Sequence, residues 1–166
     1  MQGLFNTIIH GDCLEKLKEF PDNSIDLIFA DPPYYLQLPK GKRLKRPNGT
    51  EVIPVDEEWD KFEGYDDFDN FTEKWLSECK RIIKPTGSIW VIGMYHNIFR
   101  VGTIMQNLGF WFLNDVIWIK TDALPNLNGR RFTNNHETLI WAVKNKNCKS
   151  YTFNYEKMKK INGGKQ

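Results

Sequence analysis

Four consecutive residues, Asp31-Pro32-Pro33-Tyr34, follow directly on the apolar run 24–30. Each type brings a distinct capacity. A carboxylate held at a strand tip accepts hydrogen bonds from an exocyclic amine, two prolines stiffen the backbone so that carbonyls point into a site, and an aromatic ring stacks on a base. Ligands of open α/β sheets bind outside the carboxyl ends of the strands, so position and chemistry agree. Together these are the parts needed to hold an aminobase taken out of its stack. The plainer alternative for the same residues is a proline-rich strand terminator with a surface tyrosine.

Such a motif needs elements that fix it. Residues 7–10 read as a short strand ended by Gly11-Asp12, after which Leu14 and Leu17 fall at helical spacing up to Pro21. Residues 24–30 read as a buried strand. The stretch 35–67 has no sustained period, contains Pro39, Pro47 and Pro54, and is too long for an ordinary connection. Phe71, Trp75, Cys79 and Ile82 then step by helical intervals, and Pro85 closes that helix. Residues 87–93 read as a second buried strand. Residues 98–108 read as a helix with Ile98, Val101, Met105 and Leu108 inward, entered through Tyr95-His96-Asn97 with Asn97 as cap, and 110–120 and 137–143 as further strands. This order predicts an α/β fold with a largely parallel sheet whose late strands form an antiparallel edge, all in one domain, 1–166.

Composition agrees with that reading. At 166 residues and 19.6 kDa the chain has the length of one domain, and 40% hydrophobic against 27% charged residues is enough apolar matter for a core. No apolar run approaches the roughly 18 residues that span a bilayer, and no basic-then-apolar leader opens the chain. A cytoplasmic location and no membrane partner are expected. Cys13, Cys79 and Cys148 are few and far apart, which predicts reduced packing residues; His10, His96 and His136 are isolated, which predicts no metal. The net charge of +2 hides sorted charges. Lys40, Lys42, Arg43, Lys45 and Arg46 cluster without an acid, whereas residues 51–73 carry ten acids and only Lys61, and 144–166 is basic again. Basic loops beside a neutral fold suggest an anionic partner, with solvated surface lysines as the alternative.

Beyond the four residues, Thr7-Ile-Ile-His-Gly-Asp-Cys-Leu14, Asp26-Leu-Ile-Phe-Ala-Asp-Pro-Pro-Tyr34, Gly93-Met-Tyr-His-Asn-Ile-Phe-Arg-Val-Gly102, Leu108-Gly-Phe-Trp-Phe-Leu-Asn-Asp115 and Asn135-His-Glu-Thr-Leu-Ile-Trp-Ala142 cover most of the chain. The chain resembles the amino-terminal part of the β-group DNA adenine-N6 methyltransferases, especially the solitary cell-cycle-regulated type. The resemblance implies an S-adenosylmethionine-dependent, Rossmann-like α/β sheet with permuted motifs, the catalytic loop first and the cofactor glycine loop last. It implies that Asp31 and the Pro32 carbonyl, in a loop stiffened by Pro33, hold the adenine amino group while Tyr34 stacks on the base. Asp12 matches a position beside the cofactor's adenosine or the target base, and Asp31 also lies next to the cofactor; a helix cap explains Asp12 almost as well. Lys40, Lys42, Arg43, Lys45 and Arg46 would contact phosphates of double-stranded DNA, and Asn126, Asn128, Arg130 and Arg131, in a target-recognition region starting at about residue 121, would contact bases.

Two departures from the family pattern matter. Tyr35 stands where Asn is common, replacing a polar contact near the base with a second ring, and no F-x-G-x-G or G-x-G occurs in the 166 residues. The sheet is therefore expected to be incomplete and to lack the cofactor loop, as in a truncated gene, one half of a split enzyme or a deliberately shortened chain. Expected partners are DNA, a missing carboxyl-terminal half or a second copy of the chain, with a nucleoid-associated location. The competing functions are a non-catalytic DNA-binding or assembly fragment and, less favoured, methylation of cytosine N4 or RNA.

Overall fold

In the computed structural model the described residues are 6–36, 44–45, 51–52, 57–121, 123 and 130–165, with backbone alone for 44–45 and 51–52. Asp12 caps helix α1 (Cys13–Lys16) by accepting the Leu14 N–H at 2.8 Å, and a 3-10 turn over Leu17–Glu19 extends it. Strand β1 (Ile25–Ala30) follows, and then a two-strand ribbon in which β2 (Leu44–Lys45) runs antiparallel to β3 (Glu51–Val52).

Helix α2 (Tyr65–Ile82) carries Asp66 and Asp67 in its first turn and Lys80 and Arg81 in its last, the arrangement that complements a helix dipole. Its inward face is Phe68, Thr72, Trp75, Leu76, Cys79 and Ile82. The chain passes straight into β4 (Ile83–Gly93), so this strand begins before Pro85 rather than after it. The register explains how a proline is admitted: Ile25 pairs with Ile83, yet Leu27 pairs with Ser88, so residues 84–87 bulge out opposite Asp26. Gly87 closes that bulge, where a Cβ would lie 2.7 Å from Ile83 Cγ1 and 2.9 Å from the Asp26 carbonyl.

Helix α3 (Ile98–Asn107), β5 (Trp111–Ile119), β6 (His136–Val143) and helix α4 (Tyr155–Ile161) complete the order. The main sheet runs β1-β4-β6-β5. Only β1 and β4 are parallel; β4–β6 and β6–β5 are antiparallel. The late strands do form the antiparallel edge, but a largely parallel sheet is not what the described strands make. A continuous apolar run reports neither strand direction nor burial of both faces: β1, expected to be a buried strand, turns Leu27 and Phe29 to an open face. Residues 7–10 are not a strand: they belong to neither sheet of the described residues, and Ile8 is fully exposed.

The core lies between one sheet face and helices α2 and α3, with Leu76, Ile83, Ile89, Val91, Val101, Met105 and Ala142 at its centre. On the opposite face Phe29, Trp90 and Trp141 stand in register across three strands. Trp90 and Trp141 stack at 5.1 Å, and Tyr151 and Phe153 cover part of Trp141. Toward both edges this face is open: Leu27 and Phe29 on β1 are 58% and 61% exposed, and Trp118 on β5 is 57% exposed. No helix among the described residues is long and apolar enough to cross a membrane. Cys79 is a packing residue as expected, whereas Cys13 is exposed.

Candidate active site

The parallel pair β1 and β4 ends side by side, and β6 starts at the same end of the sheet, since Gly93 pairs with Thr138. Asp31 to Tyr34, Met94 to Asn97, Lys120 and Glu137 are thereby collected at one rim. Asp31 is exposed, and Pro32, Pro33 and Tyr34 are half-buried. The Tyr34 hydroxyl donates to Glu137 Oε2 at 3.2 Å, and Lys120 forms an ion pair with Glu137. Burial first, then the hydrogen bond and charge of Asp31, and then Glu137 push the Tyr34 phenol well above its usual range. It stays a donor between two carboxylates.

Asn97 occupies the residue before α3, but its side chain makes no cap bond. It folds back instead: Oδ1 accepts the Met94 N–H at 2.9 Å and Nδ2 donates to the Pro33 carbonyl at 3.4 Å, with the residue 1% exposed. Gly93 makes room, since a Cβ there would sit 2.8 Å from Asn97 Oδ1. A satisfied buried amide thus tethers the proline loop to the end of β4.

Tyr35 does not turn its ring toward the rim. Its φ of 53° reverses the chain, and its ring packs among Phe62, Tyr65 and Phe68 with centroids 5.5, 5.4 and 5.9 Å away. The second ring expected near a base is a core anchor. Beyond it, the Tyr35 and Leu36 N–H groups donate to Asp60 Oδ1 and Oδ2 at 2.7 and 3.0 Å.

Of the expected DNA-contacting residues, Arg131 reaches this rim: its Nη1 donates to the Tyr95 hydroxyl at 2.8 Å, and its guanidinium lies 5.7 Å from the Tyr95 ring centroid. Burial and then the Arg131 charge lower the pKa of the neighbouring His96. Arg130 is exposed nearby. Lys45 lies on β2, its backbone opposite Glu51, while Lys40, Lys42, Arg43, Arg46, Asn126 and Asn128 lie outside the described residues. Asp12, exposed at the start of α1, uses Oδ1 for the helix cap. Asp60, the Asn97 tether, Lys120 and Glu137 were not singled out by residue type and spacing. Glu137 and Asn97 carried a signal only as members of the family-like stretches 135–142 and 93–102.

Comparison with known proteins agrees with this geometry. Type II methyltransferase M.HinfI of Haemophilus influenzae is 60% identical over 161 residues, which is 97% of this chain and 44% of that protein. Type II methyltransferase M2.DpnII of Streptococcus pneumoniae is 39% identical over 96% of this chain and 58% of its own length. The chain thus spans about half the length of these curated relatives. Crystal structures of an M1.HpyAVI–SAM complex (TM-score 0.56, 20% identity, 84% of this chain and 56% of that one) and of the cytosine-N4-specific PvuII DNA methyltransferase (0.57, 21%, 93% and 62%) share the fold. A family model described as DNA methylase (N6_N4_Mtase) matches residues 25–166, from the first residue of β1 through the rim to the end of the chain. With the strand, the proline loop and the antiparallel edge all inside that match, the chain belongs to the DNA methylase family.

Proposed function

We propose that this chain carries the base-holding part of an enzyme that methylates adenine N6 in double-stranded DNA, using S-adenosylmethionine, after the target base leaves the helix. The observation that supports this most is the rim itself: an exposed carboxylate, Asp31, at the tip of β1, followed by a carbonyl-bearing proline loop tethered from behind by Asn97. Asp31 accepts one amino hydrogen of the adenine and the Pro32 carbonyl the other, which turns the nitrogen lone pair away from the ring toward the donor. Tyr34 supplies the stacking face. This is catalysis by positioning.

S-Adenosylmethionine, when bound, supplies an electrophilic methyl group. Asp31 and Asp12, whose Oδ1 caps α1, fit as acceptors for its ammonium and hydroxyl donors, while the 166 residues contain no glycine loop for its methionine portion. Arg130, Arg131 and the basic run 40–46 supply phosphate and base contacts. The chain works wherever the genome lies, in bacteria the cytoplasm and nucleoid.

The D-P-P-Y motif favours adenine, by resemblance, over cytosine, for which S-P-P-Y is more usual. A second reading, an assembly fragment without catalysis of its own, is favoured by the open sheet face at Leu27, Phe29 and Trp118. To test the first, the gene is expressed with its natural flanking sequence in a host lacking DNA methylation, and the modified bases are measured by mass spectrometry. N6-methyladenine is expected; N4-methylcytosine would sink the adenine assignment, and unmodified DNA would favour the assembly fragment.

A further inference from the structure

We infer that Asp60 is a positioning residue for the reaction proposed above, and the inference rests on that reading: by accepting the backbone N–H groups of Tyr35 and Leu36 it fixes where Asp31 and Tyr34 stand. Asp60 ends a 3-10 turn, Glu58–Asp60, within the acidic run, and among its neighbours Glu57, Glu58 and Trp59 it alone is buried, at 7% exposure. A carboxylate withdrawn from water is costly unless its oxygens are bonded, and here each oxygen takes one of two consecutive amides.

Those amides lie where the loop is least self-supporting. Tyr35 sits in the left-handed region at φ 53°, an unfavourable place for a residue with a side chain, so something must hold it there. Two groups do. Asp60 binds its N–H, and the cluster of Phe62, Tyr65 and Phe68 holds its ring. The floor of that cluster is itself fixed, since Arg100 of α3 pairs with Asp69 of α2 and lies 4.5 Å from the Tyr65 ring centroid.

The proline loop is therefore held at two points. Asn97 grips the Pro33 carbonyl and Asp60 grips the amides of residues 35 and 36, with Tyr34 between them. Among the described residues Asp60 bonds to neither Asp31 nor the Tyr34 side chain; it acts through the backbone.

The test uses the full-length protein as its gene encodes it. Asp60→Asn preserves shape but replaces one acceptor oxygen by a donor, so one backbone N–H faces another N–H. Expected are a fall in kcat of about tenfold to a hundredfold, a KM for duplex DNA within about threefold of wild type, and amide exchange at Tyr35 and Leu36 faster by about tenfold. Asp60→Glu, which keeps both acceptors, should recover part of the rate. An unchanged kcat, or a loss that vanishes when the assay is cooled well below the variant's Tm, would overturn the role. Unchanged amide exchange at residues 35 and 36 would overturn the clamp itself. Wild-type protein that leaves no N6-methyladenine would instead overturn the reading beneath it, and the exchange data separate the two failures.

Discussion

The Tyr34 hydroxyl donates to Glu137 Oε2 at 3.2 Å, joining the exit of β1 to the start of β6 across 103 residues of chain. Burial first, then Asp31 and then Glu137 suppress its ionisation, so the phenol acts as a donor. Glu137→Gln replaces a charged acceptor by a neutral one at this bond, and the variant's Tm should fall, with a loss of roughly 1 to 3 kcal/mol of stability. A Tm equal to that of wild type would show that the contact between β1 and β6 contributes nothing. The same variant leaves Lys120 without its ion-pair partner.

Asp31 is exposed at a strand tip, so its side chain can be removed at little cost to the fold. Asp31→Ala is expected to lower methylation by roughly a hundredfold to a thousandfold and to leave duplex binding, read by gel shift, nearly intact. Tyr34→Ala should cost less than Asp31→Ala, and Tyr34→Phe, which keeps the stacking ring, least. Near-full turnover in Asp31→Ala would remove the base-holding role.

His96 packs its ring 4.2 Å from that of Tyr95, with Arg131 on the same tyrosine. Burial and then the Arg131 charge lower its pKa in the fold, so the unfolded chain binds this proton more readily. Its contribution to stability is therefore complete above the ordinary histidine value of 6.5 and is lost as pH falls through its depressed value. Arg131→Gln should raise the midpoint toward the ordinary value and lessen that acid loss. An NMR titration of the His96 ring protons checks both; a wild-type midpoint at or above 6.5 contradicts the prediction.

Leu27 and Phe29 present apolar side chains on β1, whose far edge has no ladder partner among the described residues. The 166 residues alone should therefore associate at micromolar concentration, measured by light scattering, and bind S-adenosylmethionine only weakly in calorimetry. Leu27→Lys with Phe29→Lys should return the chain to a monomer. A stable wild-type monomer, or micromolar affinity for the cofactor, would show that these residues make a self-sufficient unit.

The elements with a period of their own were legible in the sequence. Helix α2 followed from the spacing of Phe71, Trp75, Cys79 and Ile82, and β1 from its apolar run and the abrupt Asp31-Pro32 stop. The early start of β4 was hidden, because a proline argues against a ladder and only the register shift at Ile25 and Leu27 absorbs it. Residues 7–10 have strand composition but belong to neither sheet of the described residues. At the rim, Asp31 and Tyr34 could be found because chemistry and position coincide within four residues. Glu137, Asn97 and Asp60 reach the same loop by hydrogen bonds spanning 103, 64 and 25 residues, and no local pattern announces such contacts.

The register of the main sheet also sets an order of assembly. Strands β5 and β6 pair across 17 to 32 residues, whereas β4 reaches β6 across 45 to 55 residues and β1 reaches β4 across 58 to 61. Contacts between distant parts of a chain carry the larger loop-closure cost and tend to form late. Ile140→Ala, in buried β6, should therefore slow refolding, while Ile28→Ala on β1 should mainly speed unfolding. The stacked Trp90 and Trp141 give a fluorescence signal for β4–β6 closure in stopped-flow experiments. Equal slowing of refolding by both substitutions would contradict this order. The two pairings that build the rim, β1 with β4 and β4 with β6, then both follow the β5–β6 hairpin, so the rim that presents Asp31 is complete only late in folding.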